Sequence, residues 1–112
     1  MEAKAILRYL KSTPQKTRLV VDLIRGKMVD DALTTLTFCN KAVSRDVLKL
    51  LKSAVANAEN NKKLDVDRLY VKTAVVGHGP TLKRMHSKAM GRGATVLKRS
   101  CHVTIVLDES AI

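Results

Sequence analysis

Apolar positions recur at helical spacing through the first two-thirds of the chain. Thr13 and Pro14 place a hydroxyl N-cap before a proline at the first helical position, which predicts a helix start. The apolar side chains of this first helix are Leu19, Val20, Leu23 and Ile24. Gly26 predicts its end, because glycine readily adopts the left-handed conformation of a helix C-cap.

Two further helices follow in the pattern. Asp30, a favoured N-cap residue type, predicts the start of a short helix that buries Ala32, Leu33 and Leu36. The third helix is the longest, over residues 41–59. Its predicted apolar stripe comprises Val43, Val47, Leu48, Leu51, Val55 and Ala58.

The period changes from helical to alternating after Lys63, which predicts a strand over residues 64–75. The predicted faces of this strand are Leu64, Val66, Arg68, Tyr70, Lys72 and Ala74 on one side, and Leu69, Val71, Thr73 and Val75 on the other. A second alternating run over residues 96–107 directs Val103, Ile105 and Leu107 inward, and residues 3–9 offer a third strand. We therefore predict an α+β fold with three helices packed on a small three-stranded antiparallel sheet.

The segment between these two alternating runs has few large apolar side chains and no acidic residue. A structureless insert of that length is uncommon in a compact domain, so we expect both strands to continue outward as a long β-hairpin. It leaves the body near residues 77–80 and turns near residues 90–93, where glycines allow positive φ. At about 3.3 Å per residue, its length is roughly 40 Å. We predict one domain over residues 1–112, with a body (1–76 and 102–112) and a hairpin arm (77–101).

The charge is concentrated in the same part of the chain. The 112 residues carry 21 Lys and Arg against ten Asp and Glu, a formal net charge of +11. None of the acidic residues lies between Arg68 and Leu107. The basic residues of the arm are Lys83, Arg84, Lys88, Arg92, Lys98 and Arg99. Solvated faces usually mix both signs, and an isolated hairpin is marginally stable, so this arm predicts a polyanionic partner that supplies charge and packing surface.

The candidate RNA-binding residues follow from this charge. The arm contains no aromatic residue, which leaves phosphate and shape contacts rather than base stacking on rings. The full set is Lys11, Lys16, Arg18, Arg25, Lys27, Lys83, Arg84, His86, Lys88, Arg92, Lys98, Arg99 and His102, with the histidines as additional donors to phosphate or ribose. Basic side chains around the first helix could equally be solvated, and Lys49, Lys52, Lys62 and Lys63 are most simply a solvated helix face.

Two other classes of protein compete with this interpretation. An architectural DNA-binding protein can also combine a helical body with basic β-arms. An enzyme using Cys101 and His102 ranks far lower, because a small aliphatic body offers no dry catalytic pocket. These two residues are neighbours on a strand and point to opposite faces, so we predict no metal site and no cofactor. We also expect no membrane span, no export signal and reduced cysteines.

Several motifs resemble one family of ribosomal proteins. They are TPQKTRLVVDLIRGK (13–27), SAVANAENN (53–61), GPTLKR (79–84), KAMGR (88–92) and LKRSCHVTIVL (97–107). In this order, nearly without gaps from Lys11 to Leu107, they resemble the large-subunit ribosomal protein L-twenty-two family of bacterial or organellar type. Residues 86–93 read HSKAMGRG, where the family pattern is Arg-Pro-Arg-Ala-x-Gly-Arg-Ala, so the tip of the arm departs from its relatives.

The resemblance implies a structural, non-enzymatic role in the large ribosomal subunit. It implies an α+β body near the peptide exit and a hairpin threaded through large-subunit rRNA, which supports subunit assembly. The implied tunnel-facing tip is Lys88, Ala89, Met90, Gly91, Arg92 and Gly93. The implied partners are large-subunit rRNA, neighbouring ribosomal proteins and the nascent polypeptide, with no membrane and no homo-oligomer. The implied location is the cytoplasmic ribosome, with an organellar ribosome left open.

Overall fold

A computed structural model describes residues 2–87, 89–91 and 93–109 of the chain. Within these residues the elements run β1 (Glu2–Leu10), α1 (Pro14–Val21), α2 (Val29–Thr37), α3 (Val43–Asn60), β2 (Leu69–His78), β3 (Leu82–Ser87), β4 (Gly93–Lys98) and β5 (Cys101–Glu109). Two short 3-10 helices lie at Val66–Arg68 and Ala89–Gly91. The α+β fold class is confirmed.

The body is a three-stranded antiparallel sheet in the order β1-β5-β2, packed against the helices. The third strand predicted over residues 3–9 is β1. The inward face predicted on β5 is also confirmed, because Val103, Ile105 and Leu107 are fully buried. The core around them is aliphatic, and Leu51 and Ile24 are among its largest buried side chains. Burial of such side chains from water holds this sheet and the helices together.

Helix α1 is shorter than predicted. Its start is confirmed, since the Thr13 side chain accepts a hydrogen bond from the Lys16 amide and Pro14 follows. It ends at Val21, and the chain reaches Gly26 (φ +81°) through tight i→i−3 turns. These turns change the helical phase. Leu23 is therefore 44% exposed, and Leu19, before them, is 58% exposed; both were wrongly assigned to the apolar stripe.

Helix α2 differs from the prediction at its first residue, and helix α3 differs in the extent of its buried face. Helix α2 begins at Val29, so Asp30 is not its N-cap but lies in the first turn, where a carboxylate favours the helix dipole. Helix α3 confirms the predicted long helix. Its buried face includes Leu50 and Ala54, which the predicted stripe omitted.

Strand β2 contains a β-bulge that overturns the predicted alternation. Residues 64–68 are not strand, and the strand begins at Leu69. The register against β5 shifts between Val71 and Thr73, so Lys72 is an inserted residue of β2 that has no paired residue on β5. Such an insertion reverses the faces of every later residue. Ala74 is consequently buried on the same side as Val71, and not on the side of Tyr70.

The hairpin arm forms a second, two-stranded sheet of β3 and β4, registered from Leu82 opposite Lys98 to Ser87 opposite Gly93. The molecule measures 64 × 25 × 17 Å. The predicted continuous strands are interrupted at the base of the arm, where Pro80 has no amide N–H to donate. The Gly79 amide instead donates to the Ser100 carbonyl (3.0 Å), and the Ser100 hydroxyl donates to the Pro80 carbonyl (2.7 Å). The boundaries at residues 77 and 101 stay a prediction.

The described part of the turn at the tip of the arm is Ala89–Gly91, which overlaps the predicted turn near residues 90–93. Met90 (φ +63°) and Gly91 (φ +75°) are both in the left-handed region. A methionine rarely adopts this conformation, and the prediction of a turn over residues 90–93 attributed positive φ to its glycines. Two of the predicted tip residues, Lys88 and Arg92, lie outside the described residues.

Candidate nucleic-acid interface

The arm presents cations on both faces of its two-stranded sheet. Arg84 is paired with Val96, and Lys98 follows Val96 by two positions, so Arg84 and Lys98 share a face. Lys83 is paired with Leu97 and lies on the opposite face. All three side chains are exposed. An extended arm with positive charge on both faces can bind anionic strands on both sides. A surface that is basic on one face can bind them on that face alone.

The cationic side chains of the arm have no acidic partner within the part of the chain that the structure describes, although the Arg84 guanidinium donates a hydrogen bond to the Lys83 carbonyl (3.1 Å). There, neither Lys83 nor Arg84 forms an ion pair, and the same holds for Lys98 and Arg99. The apolar side chains of the arm are exposed as well: Leu82 by 54%, Met85 by 75%, Leu97 by 44% and Met90 by 98%. Both the charge and the apolar surface of the arm are therefore available to another molecule.

The basic residues of the body within the acid-free stretch have acidic neighbours across the sheet. Lys72 binds Glu2 on β1 and lies 3.8 Å from the Asp108 carboxylate on β5. The hydrogen bond to Glu2, and then the attraction of its charge, raise the pKa of Lys72 above the usual 10.5. Arg68 lies 3.9 Å from the Glu109 carboxylate. Folding thus neutralises this end of the stretch and leaves the excess positive charge on the arm.

Three predicted RNA-binding residues lie along the open edge of β2. The Arg25 guanidinium donates through Nε (3.0 Å) and Nη2 (2.6 Å) to the Ala74 carbonyl and forms an ion pair with Asp22. The Arg18 guanidinium donates to the Val76 carbonyl (3.3 Å). These contacts cover an edge that would otherwise expose carbonyl groups for strand pairing. Sequence patterns could not reveal them, because the acceptors are backbone atoms 49 and 58 residues away along the chain.

Lys27 lies on the same edge of β2, where the backbone of the connection between α1 and α2 pairs with Val71. Its backbone carbonyl accepts a hydrogen bond from the Val71 amide, and the Gly26 amide donates to the Val71 carbonyl. The Lys27 ammonium lies 3.4 Å from the Thr35 hydroxyl. The connection between α1 and α2 therefore acts as a short extra strand beside β2. Arg18, Arg25 and Lys27 therefore all have contacts within the body that stabilise this edge of the sheet.

Lys11 and Lys16 instead meet the base of the arm. Together with Lys98 and Arg99 they line a cleft of about 740 Å³ between the segment 9–16 and the arm. No acidic side chain lines this cleft within the described residues. Two parts of the chain that are more than 80 residues apart thus combine their positive charge. Among the residues the structure describes, this is where predicted cations of the body and of the arm come together.

Tyr9, at the rim of this cleft, was missed by sequence reasoning. It is 65% exposed, and its ring meets the His102 ring edge to face at a centroid distance of 5.1 Å. The Tyr9 amide donates to Nδ1 of His102 (3.0 Å), so this nitrogen of a predicted RNA-binding residue is already occupied. No signal in the sequence pattern distinguishes Tyr9 from an ordinary strand residue.

The cysteines and histidines do not form a reactive group in the described structure. Cys101 is buried, with its sulfur 3.4 Å from the Thr17 hydroxyl, whereas His102 points away toward Tyr9. Cys39 is half-buried against the core, as expected for a packing residue. The described side chains contain no cluster of three or more potential metal ligands. Within the same residues, none of the helices has the length and apolar character needed to cross a membrane.

Lys88 and Arg92 lie outside the described residues, as do the side chains of His86 and Ala89. Their assignment to RNA binding or to the tunnel-facing tip stays a prediction.

Comparison with known proteins identifies relatives along almost the whole chain. Residues 5–108 match the family described as "Ribosomal protein L22p/L17e". The large ribosomal subunit protein uL22 of Thermoanaerobacter sp. (strain X514) is 55% identical over 109 residues, which cover 97% of this chain and 98% of that protein. The uL22 protein of Clostridium novyi (strain NT) is 50% identical over 99% of this chain and 100% of its own length. That of Methylorubrum extorquens (strain PA1) is 56% identical over 96% and 85%.

Proposed function

This chain belongs to the ribosomal protein L22p/L17e family, and from that premise we propose that its hairpin arm binds large-subunit rRNA and reaches the nascent-peptide tunnel. As a member of the family, it is a structural, non-enzymatic component of the large ribosomal subunit. Its proposed partners are the rRNA, the neighbouring proteins of the subunit and the nascent polypeptide. The proposed location is the bacterial cytoplasm, in keeping with the bacterial relatives.

One observation carries the proposal for the arm: exposed cations lie on both faces of an extended ladder that has no ion pairs among its described residues. Cationic side chains on both faces neutralise phosphates of RNA segments on either side, which lowers the repulsion between those segments. Grooves of A-form RNA are poorly read by side chains, so specificity comes from RNA tertiary shape. The arm thereby supports packing of the RNA during subunit assembly.

The test is a salt titration of RNA binding. The arm variant replaces Lys83, Arg84, Lys98 and Arg99 with alanine, and filter binding to in vitro-transcribed bacterial large-subunit rRNA is measured over a range of salt. If each side chain contacts one phosphate, the slope of log affinity against log salt becomes shallower by about 3, at 0.7 to 0.9 per contact. The variant loses most of its affinity while circular dichroism shows an intact helical body.

The matched control removes the same charge from the helical face of the body. It replaces Lys41, Lys49, Lys52 and Lys62 with alanine; all four are exposed. Lys63 is left in place because its φ of +53° would strain alanine. The control is expected to keep most of the affinity and slope. Equal losses in both variants would mean that net charge, not the arm, determines binding. Tighter binding to bent duplex DNA than to rRNA would favour the architectural DNA-binding alternative.

A further inference from the structure

We propose that the cleft between segment 9–16 and the base of the arm holds one unpaired RNA nucleotide, with its base stacked on the Tyr9 ring. The proposal rests on the function above, in that it assumes an RNA partner, and it adds the kind of RNA feature that this surface recognises. The cleft combines an exposed aromatic ring, apolar side chains and cations, the three groups that a base, a sugar and a phosphate require.

The backbone of β1 is built to present Tyr9. The register between β1 and β5 shifts between Leu7 and Leu10, so Tyr9 lies in a β-bulge rather than in the regular ladder. Its φ is +57°, a left-handed conformation that is unfavourable for a bulky residue. Bulges re-aim side chains, and strained residues of this kind cluster at functional sites. A regular strand would have left Tyr9 within the alternating faces of the sheet.

The ring is also held in place before any ligand binds. The Tyr9 amide donates to the His102 imidazole, and the two rings pack edge to face. A fixed ring loses little conformational freedom on binding, and stacking requires no side-chain rearrangement. About two-thirds of the Tyr9 surface remains exposed. An aromatic side chain this exposed gains nothing from core packing in the isolated protein.

The rest of the cleft matches a nucleotide rather than a duplex. Leu82 and Leu97 contribute apolar surface, while Lys11, Lys16, Lys98 and Arg99 contribute positive charge. The volume of about 740 Å³ falls in the usual range of about 300 to 1,000 Å³ for ligand pockets. A base inside a duplex has both faces covered by its neighbours, whereas a bulged, looped or terminal base has a face that can stack on a protein ring.

The test compares two RNA duplexes that differ only in one central bulged 2-aminopurine nucleotide. We expect the wild-type protein to bind the bulged duplex more tightly and to quench 2-aminopurine fluorescence as the base stacks on Tyr9. Tyr9→Leu is expected to weaken binding of the bulged duplex about five- to 150-fold, the cost of losing one base–aromatic stack, without changing binding of the paired duplex. Tyr9→Phe keeps the ring and is expected to bind like the wild type.

A second variant separates binding from folding. Tyr9→Gly removes the ring and adopts positive φ without strain, so it is expected to fold and to lose the same preference as Tyr9→Leu. Unchanged affinity of the glycine and leucine variants for the bulged duplex, or no wild-type preference for it, would overturn the inference. Either result would be compatible with wild-type binding to large-subunit rRNA. If the proposed function were wrong, the wild-type protein itself would not bind that rRNA.

Discussion

Arg25 allows a direct separation of structural cations from RNA-binding cations. Sequence reasoning assigned it to RNA, but its guanidinium donates two hydrogen bonds to the Ala74 carbonyl and pairs with Asp22. Hydrogen bonds involving a charged group contribute about 1.5 to 3 kcal/mol. The Arg25 side chain is 46% exposed, so water can replace part of this contribution, and the surface ion pair adds little. We therefore expect Arg25→Ala to lower the free energy of unfolding by about 1 to 2 kcal/mol.

Thermal unfolding followed by circular dichroism measures this loss. For a domain of 112 residues, 1 kcal/mol corresponds to a decrease in Tm of about 4 °C. Filter binding to large-subunit rRNA, performed below the unfolding transition, is expected to be unchanged. The matched control is Lys16→Ala, which removes the same charge from an exposed side chain lining the cleft. It is expected to leave Tm unchanged and to weaken RNA binding.

The reverse pattern would refute the assignment. If Arg25→Ala unfolds at the wild-type temperature and loses as much RNA affinity as Lys16→Ala, the contact with the Ala74 carbonyl is dispensable and Arg25 belongs to the RNA interface. Arg25→Lys refines the test, because lysine keeps the charge but not the planar fork that engages one carbonyl with two donors. It is expected to show a smaller loss of stability than Arg25→Ala.

Three further predictions concern the base of the arm, the arm itself and the sheet. Gly79→Ala is expected to weaken the junction by about 1 kcal/mol, because its Cβ would lie 2.5 Å from the Ser100 hydroxyl oxygen and 3.2 Å from the Ser100 carbonyl carbon. Gly77→Ala is the control, since its Cβ would lie 4.0 Å from the His102 carbonyl oxygen, an ordinary contact distance. Chemical denaturation that finds both variants equally stable would contradict the prediction. In the RNA-free protein, backbone amides of the arm are expected to exchange with deuterium much faster than those of β5, because the arm side chains are exposed. Equal protection of both in a hydrogen-exchange experiment would show that the arm is stable without a partner. Lys72→Gln is expected to lower stability at neutral pH, since it removes contacts with two carboxylates. The pKa of Lys72 is raised in the folded protein, so this stabilisation is fully present below pH 10.5 and is lost as the pH rises through the folded pKa. A difference in stability between variant and wild type that persists at higher pH would contradict its ionic origin.

Local patterns were sufficient for most of the secondary structure. Thr13 and Pro14 start α1 because capping is a property of neighbouring residues, and α3 follows from apolar spacing over a long segment. The inward face of β5 followed from alternation alone. The arm, too, was predictable, because an acid-free segment with few large apolar residues cannot form a core and lies between two strands. Two of the errors, the exposed Leu23 and the reversed faces of β2, occurred where the periodic pattern is interrupted, at the tight turns after Val21 and at the bulge at Lys72.

Residue types and short-range spacing are enough to predict the α+β class, the basic arm and the resemblance to a ribosomal family. Which cations remain available to a partner molecule depends instead on contacts between distant parts of the folded chain. Arg25 is occupied by a carbonyl of β2, Lys72 by carboxylates of β1 and β5, and Lys16 instead lies beside the arm. The physical reason is that the partner of a charged side chain is set by distances through space. Those distances depend on strand register and bulges, which single residues do not encode.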